Sequence, residues 1–319
     1  MPSKKLAARI EGSWSSYAAS AFGVIKDCGM WDFDREWFGM FMHLTGICFQ
    51  TIYDKKCSVY SVTAYDWEKE HNAFLQRIGI TSDACCEYNG QSHPTVLTET
   101  KASIDSGRGV VLWGVDVGEF GIIYGYDDDD GVFLVSGIGG NDSQESNPIL
   151  YQNLGRHLGK VLYCQFPIGY VPRSLEDMVN DSLRYYIQHM TSPEKNYGLN
   201  AYDNLLYALE NECEDFGLRY TTGVYTERKQ HAAGFFNDED DAVRSIYKGN
   251  RNVEKAGELY KVIAKLYEKI HVEILEQGFD GWNHLQKPVS DKAKKAIIPI
   301  VREIASKEKE VVGLVQELE

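Results

Sequence analysis

The sequence lacks three features that would each assign it to a broad class of protein. No apolar run approaches the ~20 residues of a membrane-spanning helix, and the N-terminus has no apolar core of the kind found in signal peptides. Basic residues are outnumbered, with 33 Lys and Arg against 47 Asp and Glu. The resulting net charge of −14 repels phosphate backbones and anionic lipids. We therefore expect neither a nucleic-acid partner nor a membrane partner.

Cysteine and histidine occur without the spacing typical of metal sites or disulfide frameworks. The seven cysteines include no CxxC pair, and the eight histidines include no HxH or HxxxH pair. An odd number of scattered cysteines is typical of reduced thiols in a cytoplasmic protein. Adjacent Cys85 and Cys86 could bind a soft metal or form a redox pair, but two half-buried or exposed thiols are the favoured interpretation. The sequence thus predicts a cytoplasmic protein with no metal site and no cofactor.

Three short apolar runs form the clearest pattern in the chain. They span residues 110–113, 120–124 and 132–135 and are rich in β-branched and aromatic side chains. Aspartate and glycine residues separate them, so the pattern predicts a small antiparallel meander. A further strand is predicted at residues 160–172.

An alanine-rich helix is predicted well before this meander. Serines stand at the cap position of residues 15–27, and apolar side chains recur there at helical spacing. The small residues of this helix would let another element approach closely, as in a central buried helix. Other helices are predicted at residues 34–44, 61–78 and 95–107.

The character of the chain changes near Pro172. Beyond it, strand patterns vanish and amphipathic helical patterns dominate. These patterns fall at residues 175–190, 200–214, 226–236, 238–247, 253–277 and 291–318. The predicted fold class is therefore α+β. A first domain, residues 1–172, has a central helix packed on a small antiparallel sheet, and an all-α helical bundle follows at residues 173–319.

A resemblance to a known family rests on the first of these domains. A helix that opens with a small polar residue is followed, about a hundred residues later, by GEFGIIYGYDD and a hairpin. This arrangement resembles the papain-like cysteine peptidase fold over residues 12–170. It looks most like the C39-type peptidases and the N-terminal domain of the butirosin-biosynthesis acyltransferase family. The helical tail is similar to the extra domain that follows in many proteins resembling that acyltransferase.

The resemblance also assigns three positions at which such peptidases carry their reacting residues. In those enzymes a cysteine begins the first helix, a histidine opens the strand before the glycine–tyrosine turn, and an Asp or Asn lies on the next strand. The matching positions here hold Ser16, with Ser15 close by, then Glu119, and then Ser136 or Gly137. No cysteine occurs in residues 1–27. The resemblance therefore implies a papain-like scaffold that has lost its peptidase chemistry.

The favoured hypothesis is a non-catalytic protein that binds a small amine or peptide-like ligand. The ligand would occupy an interdomain cleft, because ligand pockets concentrate at domain junctions. Trp113 and Glu119 would contribute from the first domain, and Tyr202, Tyr225 and Arg228 from the second. The other interpretation of those three helical residues is packing, since tyrosine suits half-buried faces.

The alternative hypothesis is an amide hydrolase or acyltransferase that uses Ser16 with Glu119 as its base. Cys28 could replace Ser16 as nucleophile in a shifted register, although the acidic residues after it favour a structural role. The enzyme needs the Ser16 hydroxyl within ~3.2 Å of Glu119, and we expect instead a separation beyond ~5 Å. A homo-oligomeric structural subunit is a third hypothesis, supported by the many aromatic residues and the long terminal helices.

Overall fold

The computed structural model describes residues 3–31, 37–88, 91, 93–141, 144–156, 160–237, 242–276 and 285–318. These residues confirm the α+β class. They divide into two compact units, each built from two stretches of chain. The first unit contains Met1–Phe41 and Asp66–Arg173, and the second contains Met42–Tyr65 and Ser174–Glu319. The later boundary lies close to the predicted one at residue 172. Residues 42–65, which the sequence placed in the first domain, belong to the helical unit.

The described part of the first unit contains a seven-stranded antiparallel sheet with the order β2-β7-β3-β4-β5-β6, and β1 pairs with β4. Its strands are β1 Ser3–Lys5, β2 Ile80–Glu87, β3 Val110–Val115, β4 Glu119–Asp127, β5 Val132–Ser136, β6 Ile149–Leu150 and β7 Leu162–Tyr170. The predicted meander is confirmed as β3–β4–β5. Strands β1, β2 and β6 were not predicted, because they are short or lack strict alternation of apolar residues.

Four helices of the described chain begin before Arg173, the last residue of the first unit. They are α1 Ser16–Cys28, α2 Phe38–Thr45, α3 Trp67–Arg77 and α4 His93–Asp105. The predicted first helix is confirmed as α1. The helix predicted at 61–78 starts later, at α3, because the Asp66 carboxylate accepts from the Lys69 N–H and caps it there. Residues 34–36 of the predicted second helix lie outside the described residues.

Helix α1 packs very closely on strand β4. Ala18, Ala19 and Ala21 are buried. A Cβ atom at Gly23 would lie 2.1 Å from the Arg9 carbonyl oxygen and 2.9 Å from the Ile122 side chain. Only small residues allow this approach, as the sequence predicted. The packing brings the N-terminus of α1 to the beginning of β4.

The opposite face of the sheet packs on helix α4. Val110, Leu112 and Ile123 point into a buried cluster with Val96 and Ile104 of that helix. Residues alternate along a strand, so their neighbours face the other way, toward α1 and α3. The two faces of the sheet thus have different surroundings. One face packs on an apolar core, and the residues at the start of α1 lie on the other face.

The second unit is mainly helical in its described part. Its helices are α5 Leu175–Met190, α6 Gly198–Glu210, α7 Asp215–Asn237, α8 Ala242–Ile246, α9 Arg251–Glu268, which continues as a π-helical turn at Lys269–Ile274, and α10 Asp291–Gln316. Helix α7 begins eleven residues before the predicted start at 226. Its first half is rich in Gly and Thr, which are poor helix formers, but that half is buried and packing overrides propensity. Residues 238–241 of the helix predicted at 238–247 lie outside the described residues.

Residues 51–53 run through the interior of this unit and pair on one side with residues 196–198 through an isolated antiparallel bridge. Helical side chains satisfy much of the remaining backbone. The Tyr225 hydroxyl accepts from the Ile52 N–H at 2.8 Å and donates to the Ile52 carbonyl at 2.7 Å. The Asn204 amide donates to the Tyr53 carbonyl at 2.8 Å. The helices therefore hold this early segment by specific hydrogen bonds.

A fully buried ion pair lies in the same interior. The Lys229 ammonium is 2.8 Å from a Glu308 carboxylate oxygen, and both side chains are 0% exposed. Lys229 also donates to the Thr51 hydroxyl at 2.8 Å. The Tyr260 hydroxyl donates to Glu308 at 2.9 Å, and the Tyr202 hydroxyl lies 3.3 Å from it. Because each charge is surrounded by hydrogen-bond partners, the cost of burying the pair is offset.

Replacing Gly23 by alanine tests the close packing of α1. We expect Gly23→Ala to lower the free energy of unfolding by about 1–3 kcal/mol, because a backbone carbonyl must move. Gly313→Ala is the matched control, since Gly313 is also helical and a Cβ there meets nothing within 4 Å. That control should gain up to about 1 kcal/mol. Urea unfolding of both variants measures the difference, and equal effects would refute the steric argument.

Removing one charge of the buried pair should lower the free energy of unfolding much more than removing both charges. We expect Lys229→Met to cost about 3–5 kcal/mol, because it leaves the Glu308 carboxylate buried without its cation. Adding Glu308→Gln should recover a large part of that loss while keeping an acceptor for the tyrosine hydroxyls. Chemical denaturation of the wild type, both single variants and the double variant measures the coupling. Additive losses would show that the pair is not coupled.

Candidate functional site

The Ser16 hydroxyl and the Glu119 carboxylate lie in direct contact. Ser16 is the first residue of α1, and Glu119 is the first residue of β4. Ser16 Oγ donates to Glu119 Oε2 at 2.6 Å. The separation beyond ~5 Å expected from the sequence is therefore wrong. The physical reason is the close approach of α1 to β4, which the alanines and Gly23 permit.

The Ser16 oxygen is also a hydrogen-bond acceptor. It accepts from the Phe120 backbone N–H at 3.3 Å, and the Ser16 side chain is only 6% exposed. Both capacities of the hydroxyl are thus engaged. Ser16 is therefore held by hydrogen bonds to the Glu119 carboxylate and to the Phe120 backbone N–H.

The Glu119 carboxylate also lies at the positive end of a helix dipole. Helix α1 has no acidic residue in its first turn, and its N-cap residue Ser15 makes no capping bond with its side chain. Anions are stabilised near exposed N–H groups at a helix N-terminus. Glu119 supplies that negative charge from a neighbouring strand, while its side chain remains half-buried.

The third position of the resemblance has other partners. The Ser136 hydroxyl accepts from the Ile10 N–H at 3.1 Å. Gly137 packs on Asp116, so closely that a Cβ would lie 2.3 Å from a carboxylate oxygen. Asp116 in turn accepts from the Ser146 hydroxyl at 2.7 Å. These bonds fix the loop after β5.

Aromatic rings surround the residue that follows Glu119. Phe120 is buried, and the ring centroids of Trp67 and Trp113 lie 5.1 Å and 4.9 Å from its own. The two indoles, called here the tryptophan pair, are 5.0 Å apart and both half-buried. Trp113 was predicted at this site. Trp67 was not, although its position directly after a helix cap was visible in the sequence.

Behind the tryptophan pair is a buried polar network. The His71 imidazole stacks on Tyr17 with centroids 3.4 Å apart, and its Nδ1 is 2.6 Å from the Tyr163 hydroxyl. The Tyr17 hydroxyl donates to Gln165 Oε1 at 3.0 Å. Burial lowers the pKa of His71 well below its usual range. In the sequence, only the spacing of residues 67 and 71, which lie one helical turn apart, links His71 to Trp67.

The site residues predicted in the second unit lie in its interior. Tyr202 and Tyr225 are fully buried, and their hydroxyls bond to Glu308 and Ile52 within that unit. The Arg228 guanidinium is also buried, 5.6 Å from the Tyr225 ring centroid. These side chains support the core of the helical unit. A ligand could reach the two tyrosines only if that core opened.

Cys28 lies at the wrong end of α1 for a nucleophile activated by the helix dipole. It is the last residue of the helix, and its thiol donates to the Ile25 carbonyl at 3.4 Å. Burial raises the pKa of the Cys28 thiol. The shifted-register hypothesis is therefore wrong, and the structural role is the better interpretation.

In the part of the chain that the structure describes, no group of three or more His, Cys, Asp or Glu side chains could hold a metal ion. No helix there combines the length and hydropathy needed to cross a bilayer. Compared with known proteins, the chain matches neither a protein-family model nor a curated protein.

The buried His71 should make stability depend on pH. The unfolded chain protonates this imidazole below pH ~6.5, whereas the folded protein keeps it neutral. The unfolded state then binds more protons, so the free energy of unfolding should fall as pH drops below ~6.5, by up to about 1.4 kcal/mol per pH unit. Urea titrations between pH 7.5 and 5 measure this slope.

One variant separates the His71 contribution from that of other groups. His71→Gln should show a clearly smaller slope than the wild type, because it lacks the titrating ring. Identical slopes in the wild type and His71→Gln would contradict the prediction.

Proposed function

We propose that the first unit is a papain-like scaffold whose former reaction centre binds the ammonium group of a small amine or peptide-like ligand. The resemblance to C39-type peptidases and to the butirosin-biosynthesis acyltransferase domain supports the scaffold. So does the arrangement of β4 and α1, which bring Glu119 and Ser16 together at the positions of the peptidase histidine and cysteine. The proposed site consists of residues of the first unit alone.

The Ser16–Glu119 hydrogen bond at 2.6 Å is the observation that carries this proposal. It fixes a half-buried carboxylate one residue from Phe120 and its tryptophan neighbours. A carboxylate forms strong charge-assisted hydrogen bonds with ammonium groups. An anchored, half-buried anion is thus suited to an amine. The negative net charge of the protein would also attract a cationic ligand.

The same contacts argue against peptidase chemistry. A serine nucleophile must release its proton to a base and present a lone pair to the substrate. In this protein the Ser16 oxygen accepts from the Phe120 N–H and is nearly inaccessible. His71, a side chain of the usual base type, is fixed on Tyr163 and Tyr17. The geometry therefore favours binding over bond cleavage.

Acyl transfer through Ser16 is the second candidate function, and the short bond is again its support. In that reaction Ser16 Oγ would attack an acyl carbonyl while its proton passes to Glu119. The leaving alcohol or amine would then take that proton. This chemistry requires substrate access to a serine that is 6% exposed.

Calorimetric titration with n-butylammonium and with glycylglycine tests the binding proposal. We expect saturable binding of at least one of them to the wild-type chain and a loss of tenfold or more in affinity for Glu119→Gln. Glutamine keeps an acceptor for the Ser16 hydroxyl, so only the charge is removed. Glu99→Gln on the exposed side of α4 is the matched control and should bind like the wild type.

Labelling with a fluorophosphonate distinguishes the two candidates. For a binding site we expect no covalent adduct on the wild-type protein, as measured by intact mass. An adduct mapped to Ser16, and absent from both Ser16→Ala and Glu119→Gln, would overturn the binding proposal in favour of the enzyme. Failure of both amines to bind, together with no adduct, would refute both functions for this site.

A further inference from the structure

Two cysteines that are distant in the sequence meet inside the second unit. Cys57 belongs to the early segment 42–65, and Cys213 lies between α6 and α7. The Glu214 N–H donates to the Lys56 carbonyl at 2.9 Å, so the backbones next to the two cysteines are directly bonded. The two thiols are close enough for each to change the pKa of the other. A disulfide requires cysteines on neighbouring stretches of backbone such as these.

The buried partner of this pair is firmly fixed. Cys57 is 0% exposed, and its sulfur is 3.4 Å from the Thr221 hydroxyl. Its backbone adopts a left-handed conformation with φ of 54°. Gly217 of α7 packs so closely that a Cβ there would lie 2.0 Å from the Cys57 carbonyl oxygen. Cys57 is therefore held at one place against α7.

The other partner has a different environment. Cys213 is only partly buried, whereas Cys57 is fully buried. The neighbouring Cys57 thiol and the Lys294 ammonium lower the pKa of Cys213 against the opposing effect of burial, and the Cys213 thiol together with burial raises the pKa of Cys57. Thiolates rather than thiols attack oxidants. The sulfur of the less buried cysteine is thus the one that is ready to react, and the buried one lies beside it.

We propose that Cys57 and Cys213 form a reversible disulfide when a hydroperoxide oxidises the protein. The Cys213 thiolate attacks the peroxide O–O bond, which breaks to give a Cys213 sulfenic acid and an alcohol, or water when the oxidant is hydrogen peroxide. The Cys57 sulfur then attacks the Cys213 sulfur. The S–S bond forms, the sulfenic oxygen leaves as water with the Cys57 proton, and two thiols have been oxidised for one peroxide reduced. An external dithiol reverses the reaction.

A second cysteine pair shows why proximity is not sufficient. Cys85 of β2 and Cys164 of β7 are directly opposite each other in the sheet. Cys164 is fully buried in the apolar cluster, and burial raises the pKa of its thiol. Neither a hydroxyl nor a cation activates it among the described contacts. We expect this pair to remain reduced under conditions that oxidise the first.

The proposed disulfide would join two ends of a long loop of chain. It would tie the early segment 42–65 covalently to the connection before α7. Cross-links between residues far apart in the sequence restrict the unfolded ensemble most strongly. Oxidation would therefore raise the thermal stability of the second unit, and reduction would restore the original value.

Mass spectrometry of the full chain tests the inference. The wild-type protein is treated with hydrogen peroxide, remaining thiols are alkylated, and the digest is searched for a Cys57–Cys213 cross-linked peptide. We expect that peptide as the main product, its loss after treatment with dithiothreitol, and free Cys85 and Cys164. We also expect a rise in the unfolding temperature on oxidation. This primary measurement uses no variant, so it does not depend on a substitution being tolerated.

Two variants assign the order of reaction. In Cys57→Ser, Cys213 should accumulate sulfenic acid that dimedone traps, because the second sulfur is absent. In Cys213→Ser, Cys57 should stay reduced. Cys85→Ser serves as the control and should form the disulfide like the wild type. A wild-type protein in which both Cys57 and Cys213 remain fully alkylatable after peroxide would overturn the inference. So would a disulfide formed instead between Cys85 and Cys164.

Discussion

The contact between helix α1 and strand β4 is the constraint on which the candidate site depends. A Cβ at Gly23 would lie 2.1 Å from the carbonyl oxygen of Arg9, in the segment before α1, and 2.9 Å from the Ile122 side chain of β4. This close packing decides whether a side chain at the start of the helix can reach one at the start of the strand. As a result, the Ser16 hydroxyl donates a hydrogen bond to the Glu119 carboxylate. The chemistry of the site is thus a consequence of helix packing.

The elements predicted correctly from the sequence are those with strong local signals. The apolar runs and turn residues of the meander, the apolar spacing of helix α1 and the amphipathic helix α5 required no knowledge of distant parts of the chain. The first half of α7 was missed because packing, not propensity, makes it helical. The Ser16–Glu119 bond was missed for a related reason. The sequence named both residues through a family resemblance, but their distance depends on how tightly α1 packs, which no local pattern encodes.

Two glutamates illustrate two ways of keeping a carboxylate away from bulk water. Glu308 is fully buried, and Lys229 together with tyrosine hydroxyls satisfies it inside the helical core. Such a pair is suited to fixing one arrangement of helices. Glu119 is held by a neutral hydroxyl and the end of a helix, and it remains half-buried. The cation that balances Glu308 is thus part of the helical core itself.

The assignment of residues 42–65 to the helical unit has a consequence for modularity. The chain enters that unit, leaves it to complete the first unit, and returns only after Arg173. A fragment of residues 174–319 would leave Lys229, Asn204 and Tyr225 facing an empty channel where Thr51 to Tyr53 belong. No single crossover between two genes could therefore exchange one unit for another and keep both intact. Recombination of one unit would need three separate exchange points, after residues 41, 65 and 173.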